Sequence, residues 1–120
     1  GDQAAYDEWF AFQEEAMHWV EPELKAHLME RHRQVGPMSQ YHDLMAIDTF
    51  DVRDRIATLK PKLLLLRGLL DHGNPPDYER EIHEAVPGSG YVRLPDAGHF
   101  PPMEIPGKVN ALIEEFVAGL

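Results

Sequence analysis

Two residues able to share a proton stand 28 positions apart in this chain. Asp71 lies in GLLDHG, directly after an apolar run, and His99 lies in DAGHFPPMEIP, residues 96–106. An imidazole whose Nδ1–H is held by a carboxylate is fixed in one tautomer, and its Nε2 is left free to act as a base. Gly98 and the prolines at 101, 102 and 106 restrict the backbone around such a histidine. Asp96 competes for the same role because it is nearer in sequence, although PDAG is ordinary turn chemistry. An Asp after a strand also serves as a turn residue or cap, and a lone loop histidine is commonly a surface residue. Spacing alone leaves both acids open.

The surrounding elements favour Asp71. KLLLLRG, residues 62–68, is a continuous apolar run bounded by Pro61 and Gly68, the pattern of a strand buried on both faces of a parallel sheet. GYVRLP, residues 90–95, reads as a second strand. Between them Asn74 is placed to cap a helix starting at Pro75 or Pro76, with Tyr78, Ile82, Ala85 and Val86 as its buried stripe, stopped by Pro87-Gly88. Strand–helix–strand predicts parallel strands with a right-handed crossover, roughly 4.8 Å apart. Sites in open parallel sheets collect at the carboxyl ends of the strands. Asp71 and His99 follow two such ends. A last helix is expected from about Pro106 to Ala118, with Val109, Leu112, Ile113, Phe116 and Val117 on its apolar side and Gly119 at the cap position.

The first part of the chain has a different character. Residues 4–34 read as helical, with Tyr6, Trp9, Phe10, Gln13, Met17 and Val20 on one stripe. Pro22 starts a second helix carrying Leu24 and Leu28, and Gly36-Pro37 ends it. Residues 38–50 form a third, with Ser39 as N-cap and Tyr41, Leu44 and Met45 on one face. DVRDRIATLK then reads as a connector with a short helical turn. Two regions are expected, 1–50 and 51–120. The first holds ten acidic and three basic residues, the second eleven and eight.

Composition narrows the function classes. Of 120 residues 11 are basic and 21 acidic, a net charge of −10, which offers no cationic face to nucleic acid or to an anionic membrane surface. The absence of cysteine excludes a disulfide framework, a thiolate metal site and a cysteine nucleophile within this chain. His27 and His32 are five apart rather than four and no HExxH occurs, so no metal is assigned. No cofactor is called for. The longest apolar run, Leu63–Leu66, is too short to span a bilayer and no signal peptide is read, so a cytoplasmic protein is expected. The chain begins with Gly1 rather than Met, which fits tag removal, processing or a cut inside a longer protein.

GLLD, the downstream PDAGHFPPMEIP and the closing amphipathic helix, in that order and spacing, resemble the C-terminal half of an α/β-hydrolase. The resemblance implies an α/β fold: the last two parallel strands of the hydrolase sheet with flanking helices, preceded by a helical lid segment at residues 1–50. FDVRDRI resembles the return from that lid to the core. The resemblance also implies that Asp71 is the acid and His99 the base of a catalytic triad. Phe100, Met103, Leu69 and Leu70 flank these two and are expected to line a substrate pocket. Trp9, Phe12, Met17, Trp19, Met38 and Met45 are further candidates beneath a lid, Trp9 and Met17 foremost, although packing of the lid helices on each other and on the core is the better account of any one of them.

The third member of a triad is missing. A nucleophile elbow of the G-x-S-x-G type does not occur. Ser39 reads as a helix cap and Ser89, in PGSG, as a turn. Two parallel strands do not make a stable sheet, and the strand at 62–67 leaves an edge unpaired. An N-terminal partner chain is therefore expected to supply the other strands, the nucleophile and the oxyanion hole. The expected activity is hydrolysis of a carboxylic ester, thioester or lactone with a small hydrophobic acyl group. An Asp nucleophile on the partner, as in epoxide hydrolases and haloalkane dehalogenases, and a ligand-binding protein without turnover are the alternatives.

Overall fold

The computed structural model describes residues 3–75 and 77–120. The chain divides into two compact units, Gly1–Asp51 and Val52–Leu120. The first is helical: α1 (Gln3–Ala16), α2 (Pro22–Val35) and α3 (Pro37–Thr49). Pro22 occupies the first turn of α2, where its missing N–H costs nothing. The Glu21 carboxylate accepts the Glu23 and Leu24 N–H groups at 3.1 and 2.9 Å. Gly36, at φ 79°, makes the turn into α3, and Pro37 starts it. Gly36 therefore stands at the cap expected of Ser39, which lies inside the helix. Gln40 joins α3 to α2 through its Nε2, which donates to the His32 carbonyl at 3.2 Å.

The α1 stripe is inward-facing along its length. Tyr6, Trp9, Phe10 and Gln13 are half-buried, and Met17 and Val20 just beyond it are buried. The expected α3 face is not covered: Tyr41, Leu44 and Met45 are all exposed. Apolar residues occur all round this helix, so its sequence specifies no single buried stripe.

The second unit is a small α/β layer structure. After a 3-10 turn at Ile56–Thr58 come β1 (Leu64–Gly68), α4 (Tyr78–Ala85), β2 (Gly90–Leu94), the short α5 (Pro101–Glu104) and α6 (Pro106–Ala118). β1 and β2 pair in parallel, with Leu64 opposite Gly90 and Gly68 opposite Leu94. Alternation along each strand sorts the side chains between two faces. Leu66, Val92 and Leu94 pack with Ala97 against Ile105, Val109 and Leu112. On the other face α4 contacts both strands, with Glu79 at Arg67 and the His83 ring 5.5 Å from that of Tyr91. Lys62 donates to the Gly119 carbonyl at 3.1 Å and ties the approach to β1 to the end of α6.

Several local expectations are corrected. Asn74 does not cap α4: Asp77 precedes the helix and makes no side-chain capping bond, and a start at Pro76 lies outside the described residues. Tyr78 is exposed and Val86 is buried, so the α4 stripe begins one turn later than expected. On α6, Ile113 and Val117 are exposed, while Val109 is 1% exposed and carries the contact. Leu64, Leu65 and Leu66 are half-buried within this chain, short of the burial on both faces that their sequence calls for. No described helix is long and apolar enough to cross a membrane.

Candidate active site

Gly68 ends β1 where the chain after β2 folds across it. A Cβ at Gly68 would stand 2.0 Å from the Gly98 carbonyl oxygen and 2.6 Å from that of Ala97, so only glycine allows the two strand-end segments to meet. The meeting is stitched by the Leu69 N–H donating to the Leu94 carbonyl and the Leu70 N–H donating to that of Ala97, each at 2.9 Å. These backbone bonds set Asp71 beside His99.

Asp71 Oδ2 lies 2.9 Å from His99 Nδ1. The acid is nearly enclosed, its side chain 8% exposed, while that of His99 is 29% exposed. Asp71 Oδ1 accepts the Gly73 N–H at 2.8 Å, and Oδ2 also accepts from Asn74 Nδ2 at 3.2 Å. Burial works to raise the Asp71 pKa. The hydrogen bonds from His99, Asn74 and Gly73 outweigh it, and the carboxyl titrates below its ordinary value. An ionised Asp71 is acceptor-only, so the proton in the 2.9 Å contact belongs to Nδ1. These contacts use Nδ1 and leave Nε2 out of them, which is the geometry of an oriented general base.

Three residues to which the sequence assigns no part in the site stand around this pair. Arg67, 4% exposed, sends its guanidinium under the acid loop. Its NH2 donates to the carbonyls of Asp71 and Asn74 at 3.1 and 3.0 Å, and its NH1 lies 3.3 Å from Glu79 Oε1 and 3.5 Å from Asp71 Oδ2. Asn74 stands against both members of the pair, its Nδ2 3.1 Å from His99 Nδ1. Glu104 receives the Gly98 N–H at 2.5 Å and the Phe100 N–H at 2.9 Å, one on each side of His99. The available signal was a lone Arg within an apolar strand run and an acid five residues after the histidine.

The structure separates the competing acid. Asp96 pairs with Lys108 at 2.8 Å on the surface, and that bond holds its carboxyl below the ordinary range. Phe100 stands edge-on to the His99 ring, centroids 4.6 Å apart. Leu70 and Met103 are half-buried nearby in sequence, and Leu69 is exposed. In the first unit Trp9 and Met38 line a groove of about 590 Å³ with Tyr6, Tyr41 and Leu44. Met17 is 1% exposed and is not part of that groove's lining. Phe12, Trp19 and Met45 are exposed and do not line that groove.

Neither serine takes the place of a nucleophile. Ser39 lies in α3 of the first unit. Ser89 precedes β2, at the opposite end of the strand from His99, and its Oγ is 2.8 Å from His83 Nδ1. Five residues of strand separate its end of the sheet from the other, roughly 16 Å. Among the described residues no group of three His, Cys, Asp or Glu could hold a metal ion. Compared with protein-family models, curated proteins and solved structures, the chain has no match.

Proposed function

We propose that this chain is the acid- and base-supplying half of an α/β-hydrolase that cleaves a carboxylic ester, thioester or lactone. The observation that carries the reading is the 2.9 Å contact between Asp71 and His99, made across the carboxyl ends of two adjacent parallel strands. In this reading His99 Nε2 removes the proton from a serine hydroxyl as its oxygen attacks the acyl carbon. The imidazolium then returns the proton to the departing alkoxide or thiolate. Water enters by the same base and releases the acid. Asp71 holds the Nδ1–H throughout and stabilises the imidazolium. A base positioned in this way contributes roughly 10²–10⁴-fold in rate.

The serine and the oxyanion hole belong, in this proposal, to an N-terminal partner polypeptide that also extends the sheet. The half-buried Leu64, Leu65 and Leu66 support that extension, because a strand of this composition is suited to a sheet covered on both faces. The position of Ser89 at the far end of β2 supports a nucleophile from outside this unit.

Intact-mass spectrometry of the natively purified protein, under native and denaturing conditions, tests the proposal. A second polypeptide carrying a nucleophile elbow is expected. Its central serine should be labelled by a fluorophosphonate, and His99→Ala should abolish the labelling. An Asp at that position would replace the esterase by a dehalogenase or epoxide hydrolase. A chain that purifies alone and hydrolyses no acyl ester overturns the reading.

A further inference from the structure

Glu104 spends both carboxylate oxygens on backbone N–H groups of the loop holding His99. The two donors belong to Gly98 and Phe100, the residues on either side of the histidine. N–H groups of alternate residues converging on one anion make a concave cradle, and here the chain fills it with its own side chain. Charge-assisted bonds of this kind are about twice as strong as neutral ones. Glu104 is itself held at the end of α5, whose Pro101 is buried and whose chain continues directly into α6. Val109 of α6 is anchored in the core against Leu94 and Ala97. A continuous path therefore runs from the core through Glu104 to the Ala97–Gly98 and His99–Phe100 peptide groups that bracket His99.

The Gly68 approach and the Leu70–Ala97 bond fix the chain as far as Ala97 and Gly98, and beyond them the His99 side chain has few contacts. It is 29% exposed and touches Asp71, Asn74 and the Phe100 ring. We propose that Glu104 is the positioning residue of His99: its carboxylate holds the Ala97–Gly98 and His99–Phe100 peptide groups, which bracket the histidine, so that Nδ1 stays on Asp71 Oδ2 and Nε2 points one way. This inference rests on the proposed role of His99, but the geometry it concerns can be read without turnover.

The test is imidazole NMR on the intact chain, labelled with ¹⁵N at histidine. In the parent protein His99 should show a downfield Nδ1–H resonance and ring ¹⁵N shifts of a single tautomer. Glu104→Ala should abolish that resonance and move both ring nitrogens to the average of two exchanging tautomers, while the methyl signals of Val109 and Leu94 stay dispersed. Glu104→Gln keeps one acceptor oxygen and should retain part of the resonance. Asp96→Asn, which removes a surface pair in the same loop, should leave it intact. If Glu104→Ala does not fold, Glu104→Gln decides alone. An unchanged His99 signature in a folded Glu104 variant, with only the melting temperature lowered, makes Glu104 a structural brace and overturns the proposal. In the complete enzyme Glu104→Gln should lower kcat about 10-fold or more with KM little changed, since an error near 1 Å in a reacting group costs about 10² in rate. Loss of the imidazole signature without any hydrolytic activity in the parent would sink the hydrolase reading and leave the positioning role standing.

Discussion

Replacing Gly68 by Ala isolates the feature on which the acid–base pair depends. The added methyl would meet three backbone atoms, the Gly98 oxygen at 2.0 Å, the Ala97 oxygen at 2.6 Å and the Ala97 carbonyl carbon at 2.9 Å. Carbon and oxygen rest at about 3.3 Å or more, so the segment 97–98 must retreat by about 1 Å or more. No flexible side chain is available to give way, because all three atoms are main chain. The retreat breaks or stretches the bonds from Leu69 N–H to Leu94 and from Leu70 N–H to Ala97, each worth about 0.5–1.5 kcal/mol. Strain from overpacking adds about 1–3 kcal/mol. The loss should fall at about 2–6 kcal/mol, and a domain of this size loses roughly 4–8 °C in melting temperature per kcal/mol. The same retreat pulls His99 from Asp71, whose 2.9 Å bond does not survive a shift of that size. Urea unfolding measures the first effect and the His99 Nδ1–H resonance the second. A Gly68→Ala protein with unchanged unfolding midpoint and an intact resonance would refute the claim that this close approach builds the site.

Three further outcomes follow from the same contacts. His99→Ala should leave the chain folded with a modestly lowered urea midpoint, because the nearly enclosed Asp71 loses one of its partners, and should abolish fluorophosphonate labelling in the proposed two-chain enzyme; labelling at the parent rate would remove His99 from the mechanism. The Asp71 carboxyl titrates lower in the folded chain than the ordinary Asp value of about 3.9, so its contribution to stability is fully present above that value and is lost as pH falls through the lowered one. Asp71→Asn should therefore flatten the acid limb of a stability–pH profile measured by circular dichroism, and should reduce turnover by orders of magnitude without abolishing it; an unaltered profile and rate would count against the pair. Val109→Ala removes two methylene equivalents from a site 1% exposed, at about 0.8 kcal/mol each plus a cavity contribution, and should cost about 2 kcal/mol in chemical denaturation.

The parts of this fold that were legible in the sequence are those where one physical signal dominates. The apolar run before Gly68 and the alternating GYVRL could hardly be anything but strands, and the Pro and Gly around them marked their ends within two residues. Pro106 and Gly119 bracketed α6 at the limits it adopts. Asp71 and His99 were picked out because each follows a strand, and the sheet register puts those two ends level. What was hidden depends on side chains that could have met several partners. Asn74 fits a helix cap by type, yet it stands against Asp71 and His99, because Arg67 draws its carbonyl inward. PPME looked like loop because prolines punctuate it, but Pro is well tolerated in a first helical turn, and both prolines sit there. Glu104 was indistinguishable from a solvated acid until the loop folded back over it. Ser89 reads as a turn residue and proves to be buried against His83, a pairing that only the return of α4 along β2 creates.

The two ends of the strand pair differ in how freely they accept added sequence. At one end, Gly68–Asp71 and Ala97–Phe100 are joined atom to atom, and one extra residue in either would turn the acid or the base away from the other. At the other end the turn at Pro87-Gly88 is exposed, Gly88 has φ 85°, and a side chain there would meet nothing within 4 Å. A peptide tag, a dye or a fused domain grafted at that corner would leave from the end opposite Asp71 and His99, separated from them by the length of the sheet. The turn is therefore a natural handle for tethering this chain to a surface or to another polypeptide while its acid–base end stays open.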